Sequence, residues 1–415
     1  MSHFPADTNT LCSRYTGSSC SSMGELRLLD LGGYLEIDQL ENVTETDAQE
    51  ANLQNKKSLT ELKLQWRDPS SREPQHHHKV LEGLEAHGGI KVLKIFFYGG
   101  STYPTWISTL QYVVELTLSD CSKIEKLPPL WQLPALQVLR MAGMENLHCL
   151  CSGDPPFTFK KLKDLSLRMM PNLETWWDIN EAQGQESIFP ELEDLTIGRC
   201  GGLVHWPENV FRHLVALRKL RIEWCNKLTG RTQDASDQCT LLPRLESLEL
   251  LCRVLLRLGS GDYVLIRQEE SARCSEAVAV PLPIDMSSSN LSLPVSLHKL
   301  TIGLCANLQS LSVHLDCTEL LCILRCPRLK SLNDDGHLTS LEHLRLQDCE
   351  SLESIPAGPH QAYSSLRYLE IKSCPRLKLL PPCLKQRLND IEETDLDACY
   401  TGNLCIISYG VRTDY

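Results

Sequence analysis

No run of about 18 consecutive apolar residues occurs in this 415-residue chain, so none of it reads as a membrane-spanning helix. Its first residues, MSHFPADTNTLCSRYTGSSC, have neither the basic start nor the apolar centre of a secretory signal. Positive charge is in deficit: the net charge is −12 and the pI about 5.6, which leaves a nucleic-acid role without electrostatic support. Catalytic signatures are missing as well. No P-loop GxxxxGK[ST], no GxGxxG after a strand, no HExxH and no GxSxG is present. No spacing nominates a nucleophile–base pair. No enzymatic activity is expected, and no catalytic, cofactor-binding or metal-ligating residue is nominated. His76-His77-His78 read as a solvated loop, because three consecutive rings in polar surroundings have no fixed ligand geometry. The 19 cysteines show no pairing spacing and are odd in number, which points to a reducing, cytoplasmic setting rather than a disulfide scaffold.

What the chain has instead is a repeat. Leu341, Leu344, Leu346, Cys349, Leu352, Ile355 and Pro356 recur at the same offsets as Leu366, Leu369, Ile371, Cys374, Leu377, Leu380 and Pro381. The pattern is LxxLxLxxCxxLxxLP, a leucine-rich repeat with Cys at its Asn/Cys position. Its LxL centre alternates with period two, so it predicts a short strand with one buried face. A single copy cannot bury that face, whereas stacked copies can. Cys121, Cys200, Cys225, Cys305, Cys326, Cys349 and Cys374 all sit at the Cys position and are expected to be buried free thiols.

The predicted fold is an α/β leucine-rich repeat solenoid, a curved horseshoe. Short parallel strands form its concave face, and loops or short helices its convex face. Residues 1–23 read as a disordered polar leader. Residues 24–381 hold about a dozen repeats, with an irregular insertion near 251–295, and residues 382–415 read as a C-terminal cap and tail. Arg67 to Lys79 reads as a polar, proline-containing loop.

The residue inside each LxL should face outward on the concave side. In the N-terminal half that ladder carries Lys63, Lys94, Arg140 and Arg221, and further on Arg345. Such a basic stripe suits an acidic protein partner. Phe96, Phe97, Trp224 and Tyr368 lie beside it and are the expected contact anchors, because truncating an aromatic loses a large contact area.

The stretches LGGYLEIDQLENV, DAQEANLQNKKSLTELKLQW and VLEGLEAHGGIKVLKIFFYGGSTYPTWI closely resemble the start of the leucine-rich repeat region of plant coiled-coil NLR (NBS-LRR) disease-resistance proteins. The later Cys-type copies are similar to the same family's C-terminal repeats. The resemblance implies a cytoplasmic immune repeat domain that senses a pathogen effector or a host guarded protein. It also implies one that holds an NLR switch off, through a nucleotide-binding domain in cis or in trans. With no P-loop and no coiled coil in this polypeptide, nucleotide binding is not expected of it. The alternative reading is a substrate-recognition repeat protein of an F-box-type ubiquitin ligase, which calls for an F-box-like helical segment before the first repeat. Residues 1–23 are too short and polar to supply one.

Overall fold

The computed structural model describes residues 12–15, 18–20, 23–28, 31–152, 157–177, 188–203, 205–206, 214–225, 229–230, 242, 244–251, 297–305, 308–312, 317–333, 338–358 and 361–400. The chain divides into two compact units, Met1–Gln233 and Asp234–Tyr415. Each is a leucine-rich repeat solenoid built on a sheet of short strands.

In the first unit the strands are β1 (Cys12–Tyr15), β2 (Ser18–Cys20), β3 (Gly33–Asp38), β4 (Leu59–Gln65), β5 (Val92–Phe96), β6 (Glu115–Ser119), β7 (Val138–Ala142), β8 (Cys149–Cys151), β9 (Asp164–Arg168), β10 (Thr175–Trp177), β11 (Asp194–Gly198), β12 (His205–Trp206), β13 (Lys219–Glu223) and β14 (Thr229–Gly230). Their order in the main sheet is β2-β1-β3-β4-β5-β6-β7-β9-β11-β13. From β3 onward the pairs are parallel, while β1 lies antiparallel to both β2 and β3. The stretch read as a leader therefore contributes a hairpin at the sheet's first edge, and the remainder of residues 1–22 lies outside the described residues. The pairs β8–β10 and β12–β14 form small parallel ladders further along their repeats.

The second unit holds β15 (Ser247–Leu251), β16 (Lys299–Gly303), β17 (Ser310–Ser312), β18 (Leu320–Leu324), β19 (Ser331–Asn333), β20 (His343–Gln347), β21 (Tyr368–Lys372) and β22 (Glu393–Leu396). Its main sheet runs β15-β16-β18-β20-β21-β22, parallel throughout. The ladder continues past Pro381: a short helix, Pro382–Arg387, leads into β22 beside β21. The predicted insertion near 251–295 lies almost wholly outside the described residues, as does 401–415.

The alternation seen in the sequence decides which side chains fill the core. In β5 Leu93 and Ile95 are fully buried, and in β21 so are Leu369 and Ile371. All seven repeat-position cysteines are buried and free. Each thiol donates to the carbonyl two residues before it, as Cys121 does to Ser119 at 3.3 Å and Cys225 to Glu223 at 3.3 Å. The strand-end carbonyl also accepts a backbone N–H from a neighbouring turn, as Ser119 does from Phe97, so the thiol occupies its second lone pair inside the core.

The outer side of the first repeats is helical, starting from α1 (Met23–Leu28). Thr44 caps α2 (Glu45–Glu50) by accepting from the Asp47 amide, while Asp47 accepts from the Thr44 amide in return. The expected loop holds from Arg67 to Glu73 but not from Pro74 to Lys79. Pro74–Gly83 is a helix, α3, with proline in its first turn and His77, Val80, Leu81 and the following Leu84 buried at helical spacing. His77 is fully buried, not solvated. Among the described residues no helix is long and apolar enough to cross a membrane.

Candidate functional site

Strand pairing carries the middle position of each LxL into one column on the open face of the first unit's sheet. The register runs Glu36, Lys63, Lys94, Thr117, Arg140, Ser166, Thr196, Arg221. Four nominated cations therefore stand in line, and Glu36 extends the column at its start.

The column is not a free basic stripe. Lys63 pairs with Glu36 at 2.9 Å, and Lys94 pairs with Glu61 at 2.7 Å. Arg140 bridges Glu115 at 3.2 Å and Asp164 at 2.7 Å. Arg221 lies 3.6 Å from Glu223, which also takes Arg168 at 3.3 Å. Glu115 and Asp164 are the first residues of β6 and β9, and Glu61 is the third of β4, each one strand over from the cation it meets. The face is a lattice of alternating charge. Partly exposed pairs of this kind contribute roughly 0–1 kcal/mol each, so they fix side-chain positions more than they stabilise the fold.

The aromatic anchors divide. Phe96 is half-buried, with the Lys63 ammonium 5.2 Å from its ring centroid. Phe97 and Trp224 are 38% and 46% exposed. Both occupy the residue directly after a strand, and both are left-handed, with φ of 56° each. The same turn recurs at Gln39, Asp120, Gly143, Met169 and Arg199 with φ between 52° and 64°. At each turn from Phe97 to Arg199 the backbone N–H donates to the last carbonyl of the next strand: Phe97 to Ser119 at 2.9 Å, Asp120 to Ala142 at 2.8 Å, Met169 to Gly198 at 2.8 Å. Met169, also exposed at 44%, was missed by the sequence reading. Residue type does not mark this position, although its offset does: Asp120, Arg199 and Trp224 each directly precede the repeat's Cys.

Arg345 and Tyr368 belong to the second unit, on neighbouring strands. Arg345 bonds Glu370 at 3.0 Å and the Gln347 amide oxygen at 3.0 Å. The Tyr368 hydroxyl donates to Glu370 at 2.7 Å, and that carboxylate raises the phenol to about 12. These two nominated residues converge on one buried carboxylate.

A groove of about 300 Å³ lies between α2 and α3. Within it Lys79 pairs with Glu45 at 3.4 Å, His78 lies 3.8 Å from Glu82, and Glu85 accepts from the Gln54 amide.

Residues 23–144 match the family described as R13L1/DRL21 LRRs. Disease resistance RPP13-like protein 1 of Arabidopsis thaliana is 29% identical over 325 residues, 73% of this chain and 30% of that protein. Disease resistance protein RGA2 of Solanum bulbocastanum is 30% identical over 248 residues, 50% of this chain and 24% of that one. Among solved structures, the leucine-rich repeat domain of the type III effector XCV3220 (XopL) aligns at 17% identity over 71% of this chain and 72% of that domain, with a TM-score of 0.29. The chain spans between 15% and 30% of the length of the curated relatives it matches.

Proposed function

We propose that this leucine-rich repeat chain, similar to the repeat region of plant NLR disease-resistance proteins, serves plant innate immunity as a non-catalytic protein-recognition domain. One observation supports the reading above others: the core of the first unit is filled by inward positions alone, while the outward ones stand in register from Glu36 to Arg221. The fold is thus indifferent to the identity of the open-face residues, and that freedom suits a surface selected for binding. The partner is a pathogen effector or a host protein that the chain guards, and the setting is the cytoplasm. The same repeats restrain a nucleotide-binding switch, in cis or in trans.

The test is a panel of purified plant-pathogen effectors screened against the purified chain by biolayer interferometry. Any binder is then measured on the triple variant Lys94→Met, Arg140→Met, Arg221→Met. Neutral replacements are chosen because charge reversal would set a new carboxylate against Glu61, Glu115 and Asp164. Affinity should fall on the order of tenfold while the melting temperature stays nearly constant, since each exposed pair contributes little to stability. Unchanged affinity, or loss of affinity and stability together, refutes the open face as the recognition surface.

A further inference from the structure

Resting on that protein-recognition reading, we propose that the row of left-handed turns at the strand ends of the first unit is the contact edge. It fits a partner segment that presents a cation and a carboxylate about 14 Å apart, with an apolar side chain between them. From β5 to β13 the row reads Phe97, Asp120, Gly143, Met169, Arg199, Trp224, one residue per strand.

A left-handed backbone costs a non-glycine residue about 1–2 kcal/mol, because its Cβ crowds the following carbonyl. Glycine meets the requirement without that cost, and Gly143 with φ 64° shows that this fold accepts it there. Nevertheless three of these turns carry Phe97, Met169 and Trp224, large apolar side chains 38%, 44% and 46% exposed. They fill no core and cap no strand; the turn needs only their backbone. Non-glycine residues also hold this turn at Leu304, Arg325, Asp348 and Ser373 in the second unit, so the backbone belongs to the repeat, and what marks this row is three large apolar side chains left exposed on it. The backbone N–H bonds to the next strand fix each turn, so the side chains are held in place before any partner arrives.

Charge then says what the partner carries. Asp120 accepts from the Ser119 hydroxyl at 2.7 Å, and Arg199 lies at the other end of the row; among the described residues neither takes part in an ion pair. By contrast, the cations of the neighbouring column are tied down. Asp120 and Arg199 are three strands apart, about 14 Å at roughly 4.8 Å per strand. Met169 lies between them and the two aromatics lie outside. Asp120 packs over Gly143, where a Cβ would stand 2.5 Å from the Asp120 carboxylate, so the absent side chain is what lets Asp120 lie there. A long basic side chain from a partner can lie along Met169 and reach the Asp120 carboxylate from the solvent side. An acidic residue of the same segment then meets Arg199, and Trp224 closes over it.

The experiment pans a phage-displayed library of random 15-residue peptides on the intact chain, with Met169→Gly, Trp224→Gly and Asp120→Lys variants as counter-screens. Glycine relieves the left-handed strain, so both glycine variants should melt at or above the parent temperature. The expected binders carry Lys or Arg, an apolar residue and Asp or Glu in that order. They should weaken on the order of tenfold on either glycine variant. On Asp120→Lys the selected cation should change to an acid. Binders indifferent to all three substitutions overturn the contact edge and leave protein recognition standing. A library that yields no binder overturns both.

Discussion

At the scale of single residues, His77 shows how far burial outweighs residue type. Its ring is fully buried, 6.1 Å from the Trp66 ring centroid at 76°, and neither ring nitrogen makes a well-formed hydrogen bond. Gly99 permits this approach, since a Cβ there would stand 2.6 Å from the imidazole. Burial holds the His77 pKa below the ordinary value, and the nearby His76 and Lys123 add to the effect. The unfolded chain takes up a proton near pH 6.5 that the folded chain refuses, so it binds more protons in that range. Stability is therefore present above about pH 6.5 and is lost as pH falls below it. A melting series from pH 7.5 to 5 should show this decline, and His77→Phe should flatten it. Identical slopes for parent and variant would remove His77 from the account. The sequence showed three adjacent histidines and a polar neighbourhood. It did not show that Val80, Leu81 and Leu84 draw the middle ring inward on a helix, because the proline and serines before it read as a loop.

At the scale of the element, the repeat was legible because two periods coincide in it. LxL alternates as a strand must, and the Cys and following leucines mark where the chain turns away. Leu344 and Leu369 are opposed in register and are 2% and 0% exposed, as the offsets required. Leu369→Ala should thus cost about 2–5 kcal/mol in urea unfolding, the range for emptying a packed leucine site. Tyr368→Ala, one residue away on the open face, should cost well under that. If the tyrosine variant proved the weaker of the two, the assigned register would be wrong. The candidate site was legible only in part. The column of Lys63, Lys94, Arg140 and Arg221 follows from the offsets alone. Its neutralising partners do not, because Glu61, Glu115 and Asp164 lie 24 to 33 residues away in sequence and become neighbours only through strand pairing. The left-handed turn is hidden for a different reason. Phe, Asp, Gly, Met, Arg and Trp share an offset in the repeat but no side-chain property, so the sequence shows the position without showing its dihedral angle.

At the scale of the molecule, the repeats of both units share one interior device, the buried thiol. Cys121, Cys200 and Cys225 in the first unit, and Cys305, Cys326, Cys349 and Cys374 in the second, each stand behind a strand and donate to its last carbonyl at 3.3–3.6 Å. Only the protonated thiol can do this, and the fold raises the pKa of Cys121, Cys200, Cys326, Cys349 and Cys374, while the hydrogen bond with Cys200 lowers that of Cys225. Burial pushes Cys121 up to about 11, and the hydrogen bond that Cys349 donates to Cys326 is the first cause that pushes Cys349 up to about 12. In the unfolded chain these groups ionise near 9. Above that pH the unfolded state binds fewer protons than the folded one, and the linkage relation makes stability fall with rising pH. The protection is complete below about pH 9 and is lost progressively toward pH 11. Two measurements check it. Site-resolved iodoacetamide labelling at pH 8 should leave all seven thiols unmodified in the native chain while modifying them in guanidinium, because the attacking species is the thiolate. Urea midpoints taken between pH 8 and 10.5 should decline, and labelling of the seven should rise over the same interval through unfolded molecules. Rapid native labelling at pH 8 of any of the seven would place that thiol outside the core, and the repeat's Cys position would lose its structural meaning there.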